Sequence, residues 1–266
     1  MRIALGLEYD GSAFCGWQTQ PSGCGVQDHL QSALARFTDT NPIDVTAAGR
    51  TDTGVHAIAQ VVHFDTDVVR PMNSWVRGTN ASLSTELRVL WSHLVPDDFH
   101  ARYHARSRTY RYLLLNEPVA PAVLRKHVGW FHAPLRVEAM RAASEALIGE
   151  HDFSAFRGSQ CQSRSPIRLM HEARVERHAN MVVFTFRANA FLHHMIRNLV
   201  GSLVYIGAGR EEPGWIAALL ASRDRKQAAP TFAAEGLYLA GVEYDAGLGL
   251  PAFRPPPLLF LPPPAP

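Results

Sequence analysis

The sequence predicts an α+β fold in which two ferredoxin-like halves form a continuous, mostly antiparallel sheet flanked by helices, with a cleft between the halves. Three observations support this class. Residues 2–94 show short apolar strand patterns and two amphipathic helix patterns in the order β-α-β-β-α-β, which is the ferredoxin-like arrangement. The segment 95–99 (VPDDF) interrupts regular structure, and the residues after it roughly repeat the first half. A length of 266 residues allows two halves that share a real core.

The first half is expected to contain four strands and two helices. The first helix is predicted because Val26, Leu30, Leu34 and Phe37 share one helical face. The strands are predicted from short apolar runs bounded by turn residues. In chain order the predicted elements are a strand at 2–9, a loop at 10–25, a helix at 26–37, strands at 43–48 and 58–64, a helix at 71–81 and a strand at 87–94.

The second half is expected to contain four strands and three helices. Its most distinctive element is a helix at 190–206 that is apolar on almost all sides, which predicts deep burial. In chain order the predicted elements are a strand at 107–115, a helix at 136–148, strands at 168–178 and 181–188, helices at 190–206 and 213–221, and a strand at 236–244.

These patterns predict three segments. Residues 1–101 form an N-terminal ferredoxin-like half that carries the loop around Asp52, residues 102–250 form a C-terminal half, and residues 251–266 form a Pro-rich tail. From Pro255 onward the proline content predicts an extended polyproline arm rather than a helix or strand.

The composition is that of a globular protein, with 47% hydrophobic and 19% charged residues. No apolar run approaches the ~18 residues that a membrane span needs, and the apolar N-terminus is too short for a signal peptide. The cysteines Cys15, Cys24 and Cys161 show no C-x-x-C or Cys/His ligand spacing. The sequence therefore predicts reduced thiols in a cytoplasmic protein.

Basic residues are concentrated locally although the net charge is only +2. Between residues 100 and 130, five arginines and Lys126 face a single acid, Glu117, and a second basic group spans residues 157–177. Such stretches favour one cationic groove, although a solvated surface could show the same counts.

The most informative motif is the segment 49–56 (GRTDTGVH), which lies between two predicted strands. Gly49 and Gly54 bracket a tight turn, and Asp52 is the single carboxylate at its centre. A short loop between rigid strands can position an acid for chemistry. The alternative is a solvated turn in which Asp52 caps its own backbone.

Two other side chains could take part in chemistry. Arg197 lies in the apolar helix, where a guanidinium needs a carboxylate or phosphate partner, and pairing with Asp52 would keep that acid ionised. The alternative is a structural ion pair with another carboxylate. Tyr110 lies in a strand among arginines, a pattern typical of RNA base stacking, although strand tyrosines often simply pack.

The pair His193 and His194 is not predicted to bind zinc. On a helix adjacent residues diverge by about 100°, and no third ligand is evident, so a core position or a phosphate contact is favoured. The sequence also contains no Walker loop, G-x-G-x-x-G motif or nucleophile elbow.

Taken together, these motifs resemble the tRNA pseudouridine synthase A family from the first strand to about Tyr244. The matching pieces, in order, are 7–11 (LEYDG) with 16–18 (GWQ), 49–56, 95–102 (VPDDFHAR), 110–112 (YRY), 150–156, 161–164 (CQSR), 188–198 and 235–239 (EGLYL). The main departures are Thr53, where the family usually has alanine, and the Pro-rich tail.

The resemblance implies an isomerase that converts uridine to pseudouridine at nucleotides 38, 39 and 40 of the anticodon stem-loop of transfer RNA. It implies no cofactor and a homodimer. The residues themselves predict no metal site and no membrane association. The N-glycosidic bond would break, the uracil would turn, and a C–C bond would form.

The resemblance also implies a role for each candidate residue. Asp52 would be the catalytic acid, acting either as a nucleophile on the sugar or as the base that removes its C2′ proton. Tyr110 would stack on the extruded uracil, and Leu237 would wall the pocket. Arg50 would fill the space left by the flipped nucleotide or hold its phosphates, and Arg197 would hold Asp52 ionised.

Two rival functions follow from the same residues. One is an RNA-binding module in which Asp52 has only a structural role. The other is an aspartic protease, because residues 52–54 read D-T-G. Such proteases need a second carboxylate that shares a proton with the first, and this chain has one D-T-G with unsuitable flanking residues.

Overall fold

The computed structural model describes residues 1–40 and 43–251, so the tail predicted from Pro255 lies outside the described residues. The chain divides into two compact units, Met1–Arg106 together with the chain from Tyr238 onward, and Ser107–Leu237. The predicted class, α+β with mostly antiparallel strands flanked by helices, is confirmed. None of the described helices is long and apolar enough to cross a membrane.

The strands and helices are numbered in chain order. The strands are β1 (Arg2–Tyr9), β2 (Thr46–Ala47), β3 (His56–Asp65), β4 (Leu87–Val95), β5 (Ser107–Asn116), β6 (Gly129–Phe131), β7 (Gly149–Asp152), β8 (Ile167–His178), β9 (Met181–Ala188) and β10 (Leu237–Glu243). The α-helices are α1 (Val26–Thr38), α2 (Met72–Asn80), α3 (Val137–Glu145), α4 (Met195–Gly207) and α5 (Trp215–Ser222).

In the first unit, β1 is the central strand and pairs antiparallel with both β3 and β4. The far end of β3 pairs with β2, and the beginning of β3 pairs in parallel with β10 through His56 and Tyr238. Ile3, Leu5 and Leu7 share one face of β1 and are fully buried, and Ala4 on the other face is fully buried as well, so both faces of the strand are covered there. Because β3 begins at His56, the segment 49–56 leads directly into a buried strand.

Strand β2 is much shorter than the predicted strand at 43–48. The carbonyl oxygens of Ile43 and Val45 accept hydrogen bonds from the side-chain amides of Gln31 and Gln27 on α1, at 2.6 and 3.2 Å. These backbone groups are therefore satisfied by a helix rather than by a neighbouring strand. Only Thr46 and Ala47 pair with β3.

In the second unit, the strands lie in the order β5–β9–β8–β7 with antiparallel neighbours, and β6 runs parallel to β5. Helix α3 packs against β8 and α4. Helix α4 is buried as predicted, but it begins at Met195 instead of residue 190 because His194 has a φ of 60°, outside the helical region. Strands β6 and β7 were not predicted, since three or four residues are too few for a period-2 pattern.

Candidate active site

The segment 49–56 forms a tight turn at Asp52. The backbone N–H of Val55 donates to the carbonyl oxygen of Asp52 at 3.1 Å, and Gly54 has a φ of 80°. Thr53, between them, is not among the residues with positive φ, so the geometry is that of a type II turn with glycine at its third position. The turn fixes the backbone of Asp52 on the C-terminal side.

A second segment fixes the loop on its N-terminal side. The backbone N–H of Trp17 donates to the carbonyl oxygen of Thr51 at 2.9 Å. Gly16, with a φ of 89°, approaches the loop so closely that a Cβ atom there would lie 2.9 Å from the same oxygen. Only glycine fits both the backbone conformation and the space, so the segment 16–17 packs directly on the loop.

The side chains of the loop differ in exposure. Arg50 and Thr53 are exposed, Thr51 is buried, and Asp52 is half-buried. The Thr51 hydroxyl is hydrogen-bonded to the hydroxyl of Tyr9 at 2.8 Å, and the Gln60 amide donates to the carbonyl oxygen of Gly49 at 2.7 Å. The loop is therefore anchored at Gly49 and Thr51, while Arg50 is exposed and Asp52 is half-buried.

At the end of the loop, His56 stacks on Tyr238 with ring centroids 4.6 Å apart. The backbone N–H of Gly11 donates to Nδ1 of His56 at 3.1 Å. Burial raises the pKa of Tyr238, so its hydroxyl stays neutral at physiological pH. The loop thus joins the beginning of β3 at a rigid aromatic contact.

The predicted residues of the second unit are also well fixed. Tyr110 on β5 is only 8% exposed and meets Phe191 edge-on, with centroids 5.2 Å apart. Tyr112 lies on the same face of β5 and donates from its hydroxyl to the carbonyl oxygen of Ala233 at 3.0 Å. Leu237 is 5% exposed, and its N–H donates to the carbonyl oxygen of Ala234 at 2.9 Å.

Arg197 lies in the first turn of α4 and is half-buried. Its Nε donates to the carbonyl oxygen of Phe232 at 2.8 Å, and the Phe232 N–H donates back to the Arg197 carbonyl at 3.2 Å. This two-way contact ties α4 to the segment before Leu237. The ion pair with Asp52 stays a prediction, because the two residues belong to different units.

His193 and His194 do not lie on a helix, so the expectation that their side chains diverge is wrong. They occupy the turn before α4, and their rings stack with centroids 3.8 Å apart. The left-handed backbone of His194 allows this stacking, and no sequence pattern indicated it.

The prediction of three reduced thiols is also wrong. Cys15 and Cys24 form a disulfide, and the Cys15 N–H donates to the Cys24 carbonyl oxygen at 2.9 Å. That backbone contact accompanies a Cα–Cα distance of 5.4 Å, within the range that a disulfide requires. Eight intervening residues in an irregular loop gave no sequence signal. The bridge directly precedes Gly16, which packs on the Asp52 loop.

The basic stretch between residues 100 and 130 does not form one uniform surface. Arg108 is 8% exposed and donates to the carbonyl oxygen of Asn189 at 2.8 Å, so its role is structural. Arg106 forms an ion pair with Asp245. Arg102, Arg125 and Lys126 are exposed. The cationic groove stays a prediction.

Comparisons with known proteins bear on the chemistry of these residues. A family model described as tRNA pseudouridine synthase matches residues 7–104 and 143–245. A tRNA pseudouridine synthase A from Methylobacillus flagellatus is 55% identical over 251 residues, 94% of this chain and 96% of the relative. Proteins of the same description from Burkholderia cenocepacia and Aromatoleum aromaticum are 56% and 57% identical, over 94% of this chain and 93% and 95% of their own lengths.

A solved structure of a Cbf5-Nop10-Gar1 complex aligns with 76% of this chain and 45% of its own, at 12% identity and a TM-score of 0.34. This likeness is too low to support a conclusion.

Proposed function

The chain belongs to the tRNA pseudouridine synthase family, and we propose that it isomerises uridine to pseudouridine at positions 38, 39 and 40 in the anticodon stem-loop of transfer RNA. The family and the enzyme class, an isomerase, that the sequence motifs predict are confirmed. The reaction breaks one C–N bond and forms one C–C bond. Since the product contains the same atoms as the substrate, no oxidant, reductant or other co-reactant is needed for balance.

The single observation that carries the proposal is the position of Asp52. Its carboxylate is half-buried on a loop whose backbone is fixed on both sides, by Trp17 and by the Val55 turn. A fixed carboxylate needs little reorganisation when it attacks C1′ or removes the C2′ proton. Both routes start from the ionised acid, and the proposal includes both.

The remaining residues have roles that follow from their environments. Arg50 is exposed beside Asp52, where a guanidinium can contact the phosphates of a flipped nucleotide and offset part of the cost of extrusion. Tyr110 offers a rigid ring for stacking on the uracil, and Leu237 offers an apolar wall. Arg197 supplies a positive charge that would favour the ionised form of Asp52.

We also propose a homodimer that binds transfer RNA, as the family resemblance implies, and a cytoplasmic location, which rests on the transfer RNA substrate and no longer on reduced thiols. An RNA arm that contacts two subunits would place the basic surface of one beside the catalytic loop of the other. The exposed Arg102, Arg125 and Lys126 are suitable for contacts with phosphates.

The test replaces Asp52 with asparagine, which removes the charge but keeps the shape. Purified protein is incubated with unmodified transfer RNA, and pseudouridine is mapped at each nucleotide. We expect the parent to modify positions 38–40 and Asp52→Asn to lose roughly a thousandfold or more in rate, because the reacting group is gone. The dissociation constant for transfer RNA should stay within about twofold, since phosphate contacts dominate affinity.

Asp44→Asn is the matched control, because Asp44 is an exposed acid in the same unit and the change in charge is the same. Its rate should equal that of the parent. Undiminished activity in Asp52→Asn would contradict the catalytic role. Binding of transfer RNA without any pseudouridine in the parent reaction would favour the RNA-binding module instead.

A further inference from the structure

A buried polar network lies beneath the Asp52 loop. It consists of Tyr9 at the end of β1, Gln60 in the middle of β3, and Thr51 in the loop, which are 4%, 0% and 7% exposed. The Tyr9 hydroxyl is 2.8 Å from the Thr51 hydroxyl, and the Gln60 amide nitrogen is 3.4 Å from Tyr9 and 2.7 Å from the Gly49 carbonyl oxygen. Buried polar side chains are costly unless they are hydrogen-bonded, so their presence here needs a reason.

The chemistry of the groups fixes the direction of the hydrogen bond to Gly49. The Gly49 carbonyl oxygen can only accept, so the nitrogen of the Gln60 amide must face it. The same nitrogen carries a second hydrogen that it can donate to the Tyr9 hydroxyl, and either hydroxyl can be the donor in the hydrogen bond between Tyr9 and Thr51. Burial raises the pKa of Tyr9 to about 12, so its hydroxyl stays protonated throughout the physiological range.

The network holds Gly49 and Thr51, which lie three residues and one residue before Asp52. Gly49 is held through its carbonyl, and Thr51 through its hydroxyl, while the Thr51 carbonyl accepts from Trp17. Asp52 follows Thr51 directly, so a shift of Thr51 moves the carboxylate. A displacement of about 1 Å can cost about a hundredfold in rate when a reacting group must be aligned.

We propose that Tyr9 and Gln60 are positioning residues for the isomerisation, acting on Asp52 through Thr51 and Gly49 without contacting the substrate. This inference rests on the proposed catalytic function of Asp52. It assigns a role to Tyr9, which belongs to the LEYDG motif at residues 7–11, and to Gln60, which the sequence patterns did not single out.

The experiment is a double-mutant cycle on the hydrogen bond between Tyr9 and Thr51. Tyr9→Phe and Thr51→Val each remove one hydroxyl at nearly constant volume. Single-turnover rates are measured with excess enzyme on unmodified transfer RNA, at a temperature where thermal denaturation shows every variant to be folded. We expect each single variant to be about tenfold slower, and the double variant to be about tenfold rather than a hundredfold slower, because the bond is already broken.

Three further variants make the test specific. Thr51→Ser keeps the hydroxyl and should keep the parental rate. Gln60→Met removes the donor to Gly49 at similar length and should slow the reaction at least as much as Tyr9→Phe. Tyr244→Phe is the control for loss of a tyrosine hydroxyl, because Tyr244 donates to the Ala101 carbonyl oxygen at 2.6 Å in the same unit, outside the network. Its rate should be unchanged.

Parental rates in Tyr9→Phe and Thr51→Val, with only a lower melting temperature, would overturn the proposal and leave a structural role. Independent, multiplicative losses in the double variant would also overturn it. If Tyr9→Phe does not fold, the comparison of Thr51→Val with Thr51→Ser decides the question from the other side of the bond. Failure of the proposed function would be distinct, because the parent itself would then form no pseudouridine.

Discussion

The Asp52 loop and helix α4 hold Asp52 and Arg197, the side chains with proposed roles, by different means. The loop has no regular structure, and its residues are fixed by hydrogen bonds from Tyr9, Gln60 and Trp17. Arg197 instead lies on a helix whose residues Met195, Leu199 and Leu203 are fully buried. Hydrogen bonds fix the orientation of the groups that they join but contribute little net stability. Burial of apolar side chains contributes stability but does not fix an orientation. Changes to the two regions should therefore separate activity from stability.

The largest effect on stability is expected in α4. Leu203→Ala removes a fully buried side chain and should lower the free energy of unfolding by about 3 kcal/mol, because a cavity remains in the packed helix face. Urea denaturation measures this loss, and turnover per folded molecule should be preserved. Leu90→Ala, at a position 39% exposed on β4, is the control and should cost less than about 1 kcal/mol. Equal losses of unfolding free energy in Leu203→Ala and Leu90→Ala would contradict the conclusion that packing stabilises α4.

An intermediate effect is expected from acid on strand β3. Burial, followed by the nearby Arg2, lowers the pKa of His63 to about 4, and its neutral Nδ1 accepts from the Ala101 N–H at 3.1 Å. As the pH falls from 7 to 4.5 the unfolded chain takes up a proton that most folded molecules do not, so stability falls by about 2 kcal/mol over that range. Below about pH 4 both states are protonated and the loss is complete.

His63→Asn tests the assignment, because its side-chain oxygen can replace Nδ1 as an acceptor but does not titrate. Unfolding free energies at pH 7 and 4.5 should differ less in this variant than in the parent. His100 also has a lowered pKa, through burial and Arg2, so part of the acid effect should persist. An unchanged difference in His63→Asn would show that His63 is not its source.

The smallest effect on stability is expected in the loop. A change there should reduce turnover although it lowers the free energy of unfolding only slightly. Gly54→Ala places a side chain at a φ of 80° and should cost about 1 kcal/mol. Gly23→Ala is the matched control, because Gly23 has a φ of 70° and no atoms within 4 Å of an added Cβ. The two variants should unfold at similar urea concentrations, and only Gly54→Ala should slow pseudouridine formation. Equal turnover would show that the turn does not position Asp52.

The sequence predicted features that depend on local periodicity or on long motifs. The strand and helix order of the first half, the burial of α4 and the Asp52 loop belong to this group. Features that depend on tertiary contacts were missed. The shortening of β2 depends on glutamines from α1, and the start of α4 depends on the left-handed backbone of His194.

The disulfide was missed for a similar reason. Cys15 and Cys24 are brought together by an irregular loop whose path is set by its packing on residues 51–53. The hydrogen bonds between Tyr9 and Thr51 and between Gln60 and Gly49 were not predicted either. A tyrosine or glutamine within an apolar strand pattern does not indicate which group it will contact. Sequence patterns thus located the acid but not the side chains that hold it.

The second position of the turn, the corner occupied by Thr53, makes almost no steric demand on its residue. Thr53 is exposed there, and that position of a type II turn suits any L-amino acid. A fluorophore or photo-crosslinker attached at this corner would therefore sit one residue from the carboxylate without breaking the contacts that hold it. Such a probe would report the arrival of the nucleic acid in real time.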